Sequence, residues 1–90
     1  MGGFIGGSAY AMARDIAEGF HIVTERTFKT MTRAELDQMA FELDRCLRET
    51  RAEQPPLDDL PTIQQRNRKI QRLSQAFTIL RSYQARVRRG

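Results

Sequence analysis

The stretch TIQQRNRKIQRLSQAFTILRSYQARVRR, residues 62–89, decides the fold. Within it Ile63, Ile70, Phe77 and Gln84 recur every seven residues, interleaved with Arg66, Leu73, Leu80 and Val87. Apolar residues alternating at three and four positions return to one side of a helix, so the segment is expected to be one long amphipathic helix with coiled-coil character. Its seam, Ile63, Ile70, Leu73, Phe77, Leu80 and Val87, has to be covered, either within the chain or by a partner or second copy. Arg66 and Gln84 interrupt the seam, as polar residues do where they set a register or mark an end.

On the other side of this helix Arg68, Arg72, Arg86 and Arg89 fall close to one line, spanning about 30 Å at 1.5 Å per residue. Residues 61–90 carry eight basic side chains and no Asp or Glu, whereas the first sixty residues hold seven basic and eleven acidic ones. The net charge of +4 therefore divides into −4 followed by +8. A surface of this kind meets something negative, and three counterparts stay open: a phosphate backbone, an acidic partner, or the chain's own acid-lined segment bearing Glu35, Glu42 and Glu49. Thirteen of the fifteen basic residues are Arg, which suits planar two-pronged contacts to carboxylate or phosphate and equally a GC-rich genome.

Pro55 and Pro56 precede the long helix and stop another one, with residues 55–61 as a proline-rich connection. That earlier helix has the best-defined local signal in the chain. Thr32 followed by Glu35 is a capping box, and Met31 with Leu36 forms the matching hydrophobic staple. Leu36, Met39, Ala40, Leu43, Cys46 and Leu47 then supply its apolar stripe, leaving Phe41 off it. Asp44 with Arg48 and Arg45 with Glu49 are spaced for i,i+4 ion pairs. Further upstream Met12, Ile16 and Phe20 recur at helical spacing after Ser8, an N-cap residue, and Gly19 is placed to end that helix. Between the two, Phe20 to Val23 and Thr27 to Thr30 are β-branched and aromatic, favouring one or two short strands, with a continuous helix through Phe28 as the competing reading. Gly2, Gly3, Gly6 and Gly7 surround Phe4 and Ile5 in a glycine-rich arm, residues 1–7, expected to be held against something such as another subunit.

Ninety residues make one small domain, mainly α, in which residues 8–54 are a helix–extended–helix unit and residues 62–89 the basic amphipathic helix. One cysteine, Cys46, excludes an internal disulfide, fits a reducing compartment and reads as a core residue. The apolar run at Met1–Ala13 has no basic n-region and is too short to span a bilayer, so neither a signal peptide nor a membrane helix is read, and a cytoplasmic or virion-associated protein is expected. One histidine and one cysteine give no catalytic constellation, no metal-ligand spacing and no cofactor motif, so no enzyme, no metal and no cofactor is expected.

Asp15-Ile-Ala-Glu-Gly-Phe-His-Ile-Val, then Arg26-Thr-Phe, then Met31-Thr-Arg-Ala-Glu-Leu, together within residues 9–50, resemble the small head-completion or head–tail joining proteins of tailed phages. In that family a first helix ends at a glycine, a short β-hairpin follows, and a second helix opens on a Thr or Ser cap. This chain departs from it in lacking the Asp-Gly turn and in carrying the long helix where the family has a brief basic tail. The resemblance implies a non-enzymatic structural or adaptor subunit that forms a homo-oligomeric ring or multi-subunit junction. The charge pattern supports an alternative, a small nucleic-acid-binding or regulatory protein that sets its C-terminal arginines on phosphates.

Overall fold

The computed structural model describes residues 7–89, and the side chains of residues 7–87; the arm at residues 1–6 and the side chain of Arg89 lie outside the described residues. Four helices follow one another: α1 (Ala9–Glu18), α2 (Glu25–Lys29), α3 (Arg33–Ala52) and α4 (Leu60–Arg89). The mainly α class expected from the sequence is the class observed.

Local chemistry fixes the helix ends. The Ser8 hydroxyl accepts from the Ala11 N–H at 3.1 Å, satisfying one of the donors that every helix N-terminus leaves free. At the other end of α1, Gly19 adopts φ +84°, and the N–H groups of Gly19 and Phe20 turn back onto the carbonyls of Ile16 and Asp15 at 3.1 and 2.9 Å. This is a Schellman closure, and it needs a residue without a Cβ in the left-handed region. The capping box of α3 forms in both directions, Glu35 N–H to Thr32 Oγ1 at 3.2 Å and Thr32 N–H to Glu35 Oε1 at 2.8 Å. Met31 and Leu36, the two halves of its staple, are both buried. Ahead of α4 the Asp59 carboxylate accepts from the Thr62 N–H and hydroxyl at 3.3 and 2.7 Å. Pro61 sits in the first turn, where a missing N–H costs nothing.

The strands expected around residues 20–31 do not form among the described residues. Phe20 lies in a bend and residues 21–24 take no regular secondary structure, Thr24 being extended, and the chain then turns into α2. Thr24 N–H donates to Thr27 Oγ1 at 3.2 Å to open that short helix, and Phe28, fully buried, anchors it against the core. Burial of one aromatic side chain outweighs the β preference of its neighbours, because propensity differences span only about 1 kcal/mol while a buried Phe contributes about 1.5–3 kcal/mol.

α4 packs against α3 and α1, and α2 lies against α4. The molecule measures 49 × 26 × 18 Å, so α4, about 45 Å long by its rise, runs nearly its full length. Ala9, Ala13 and Ala17 are buried on the inner side of α1, where their small size lets that helix approach its neighbours closely. Met12, Phe28, Met39, Leu43, Leu73 and Leu80 are the largest fully enclosed side chains and form the centre of the core.

Candidate functional site

The α4 seam is used inside the chain. Leu73 and Leu80 are fully buried, Ile70 and Phe77 pack against the same core, and Ala76 closes the gap between them. Ile63 is half-buried, and Val87, 42% exposed, leaves the core to line a cleft of about 90 Å³ with Met31, Arg33 and Leu36. The two interruptions have partners as well. Arg66 donates to the carbonyls of Arg51 and Glu53, both at 2.8 Å, closing the C-terminus of α3. Gln84 is buried; its amide N–H donates to Asp37 at 3.0 Å, and its carbonyl accepts from Arg81 at 3.2 Å. These contacts fix the antiparallel register of α3 and α4 at both ends.

Two of the three carboxylates of α3 that the sequence offered to the basic helix, Glu42 and Glu49, pair within α3 instead. Glu42 and Glu49 pair with Arg45 of their own helix at 3.5 and 3.3 Å, and Arg48 pairs with Asp44 at 3.1 Å. The cations of α4 reach α1 and α2 instead. Lys69 pairs with Glu18 at 3.3 Å and Arg86 with Glu25. Arg72 donates to the Ala17 carbonyl at 3.0 Å, one of the acceptors left over where α1 ends. Helix C-termini carry partial negative charge, so α4 clamps two of them with guanidinium groups, Arg72 on α1 and Arg66 on α3. A Cβ on Gly19 would stand 2.9 Å from Arg72 Cζ, so the same glycine that closes α1 also makes room for its clamp. Of the residues expected to face an anionic partner, Arg72 and Arg86 thus have partners within the chain. Arg68 is exposed and has none among the described residues.

Residues 20–24 stand out against this closed interior. Side chains along them alternate as on a strand: Phe20 (79% exposed) and Ile22 (86%) point outward, while Val23 is buried and His21 half-buried. The backbone N–H groups of His21, Ile22 and Val23 find no acceptor among the described residues. His21 and Val23, with Ile16, Arg72 and Ala76, line a cleft of about 300 Å³ between α1 and α4. There the His21 Nε2 atom is buried without a hydrogen-bond partner, although buried polar atoms almost always have one. A second exposed apolar pair, Leu57 and Leu60, lies at the connection between α3 and α4.

Comparison with protein-family models, with curated proteins and with solved structures finds no match. Any functional reading therefore rests on the chain's own chemistry. Cys46, buried on the α3 stripe, has its thiol pKa raised by burial first and by the nearby Glu49 and Glu42 carboxylates second, the direction that disfavours the nucleophilic thiolate. Among the described residues no group of three His, Cys, Asp or Glu side chains could hold a metal ion, and no helix is long and apolar enough to cross a membrane. Arg14 and Arg45 both stack over the Tyr10 ring, with Cζ 5.7 and 5.1 Å from its centroid, tying α1 to α3 at the surface. Sequence reasoning missed Phe20, His21 and Ile22 as a surface; the signal present was the apolar alternation itself, which reads as a strand and says nothing of where its partner strand is.

Proposed function

We propose that this protein is a non-enzymatic structural or adaptor subunit that builds a larger assembly by pairing copies of itself through residues 20–24. A single observation carries the reading: a segment outside any helix whose N–H groups at residues 21–23 find no acceptor among the described residues, with two outward apolar side chains, Phe20 and Ile22. An exposed strand edge is a template for another strand, and proteins that do not use such edges blunt them with charge, proline or cover. Residues 20–24 contain no Asp, Glu, Lys, Arg or Pro. A second exposed apolar pair, Leu57 and Leu60, lies elsewhere on the chain and offers a separate surface for contacts beyond a two-copy pair. A ring at a junction is what the resemblance to phage head–tail joining proteins implies. The glycine-ended first helix and the Thr32 cap favour that reading, and the unformed hairpin weighs against it.

Light scattering on the purified chain over a range of concentrations tests the proposal. The expected result is a mass that rises above the 10.4 kDa of one chain and returns to it in the double variant Phe20→Ser, Ile22→Ser. A wild-type mass of one chain at every concentration contradicts self-assembly.

A further inference from the structure

We infer that the outward side of α4 is a docking surface for the phosphate backbone of a nucleic-acid duplex. This inference rests on residues other than those of the self-pairing edge. The line of α4 turned farthest from the core carries Gln64, Asn67, Gln71, Gln75, Thr78 and Ser82, all exposed. Each is neutral and can donate a hydrogen bond, and no carboxylate occurs anywhere in residues 61–90. Such side chains, with Arg, are the usual donors to phosphate oxygens.

Guanidinium groups flank this neutral stripe on both sides. Arg68 and Arg86 are five helical turns apart on one flank, about 27 Å by the rise of the helix. That span corresponds to about eight phosphate steps of one strand. Arg81 stands on the other flank, exposed, with Cζ 5.8 Å from the Phe77 ring and one N–H on Gln84, which leaves further donors on the same guanidinium. Arg68 has no partner among the described residues, and Arg86 is shared with Glu25. An anionic membrane is the poorer fit, because a helix that lies on a bilayer turns an apolar side to it and this stripe has none. An acidic protein surface would match the charge, but not five turns of neutral donors in a line.

The test is fluorescence anisotropy of a labelled 20-base-pair DNA duplex with the full chain, run at several salt concentrations. Three engaged arginines predict that Kd weakens about 40-fold between 50 and 200 mM salt, a log–log slope near −3. Arg68→Gln should make that slope shallower by about one unit. Gln71→Glu, which places a carboxylate on the stripe, should weaken binding several-fold, and Glu25→Gln, which releases Arg86, should tighten it. Arg48→Gln makes the same change in net charge on the outer side of α3 and should leave Kd unchanged. Arg68 and Gln71 are exposed and without partners among the described residues, so these variants should keep the fold, which circular dichroism checks. A parallel RNA duplex names the source, the tighter of the two being the physiological polymer class. The inference is overturned if neither duplex binds at 50 mM salt, if Arg48→Gln weakens binding as much as Arg68→Gln, or if poly-glutamate or phosphatidylglycerol vesicles bind more tightly than either duplex.

Discussion

Two segments of this chain advertise apolar periodicity, and the fold treats them in opposite ways. Along α4 the period-seven seam disappears into the core, with Leu73 and Leu80 fully enclosed by α1 and α3. Along residues 20–24 the period-two pattern is left half-outside, Val23 buried and Ile22 86% exposed. A helix satisfies its own backbone and asks its neighbours only for side-chain cover. A strand needs a neighbour for its backbone too, and this chain has no second strand among the described residues to offer. The contrast separates residues that make the domain stable from residues that are available to another molecule.

That division is sharpest in the expected cost of truncation. Leu73→Ala, in the covered seam, should destabilise the fold by about 2–5 kcal/mol, since it removes buried methyl groups and leaves a cavity between three helices. Urea denaturation checks it, and a loss under 1 kcal/mol would break the claim that the seam is filled within one chain. Next in size is Gly19→Ala, where the left-handed backbone costs about 1–2 kcal/mol and the new Cβ meets the Arg72 guanidinium. If Arg72 truly clamps α1, combining Gly19→Ala with Arg72→Ala should cost less than the sum of the two single changes, a non-additivity that a double-mutant cycle measures. The smallest effect belongs to the uncovered segment at residues 20–24. Phe20→Ser and Ile22→Ser should each change the stability of the isolated chain by no more than about 0.5 kcal/mol, the ordinary range for surface substitutions. A larger loss in chemical denaturation at low protein concentration would mean that these side chains already have cover within the molecule.

How much of this was legible in the sequence follows the range of the interactions concerned. Thr32 with Glu35, Ser8, Gly19 and the pairs Arg45–Glu49 and Arg48–Asp44 are all local, their partners lying within five residues, and each forms as its spacing indicates. The α4 seam was legible as a seam, but its cover was not, because periodicity identifies an apolar side without identifying what lies against it. Arg66 and Gln84 read as defects because their partners, the carbonyls of Arg51 and Glu53 and the carboxylate of Asp37, are distant in sequence, and two of the three are backbone atoms. Backbone carbonyls are invisible to any reading that pairs charges with charges. The same blindness offered Glu35, Glu42 and Glu49 as one counterpart of the basic residues of α4, whereas a helix terminus holds Arg72 and the acids of α1 and α2 hold Lys69 and Arg86. Between residues 20 and 30 the β-branched composition indicated one or two short strands; none forms among the described residues, and from Glu25 the burial of Phe28 in a short helix prevails.

Amide hydrogen exchange of residues 21–23 as a function of protein concentration tests the central claim, that this segment is a strand awaiting a second copy, most directly. In dilute solution these amides should exchange at nearly the rate of an unfolded peptide. On concentration, protection should appear at those that face the open edge, while Leu43 in the core of α3 stays protected throughout. Fast exchange of residues 21–23 at every concentration, or protection that is already complete when the chain is dilute, would contradict it.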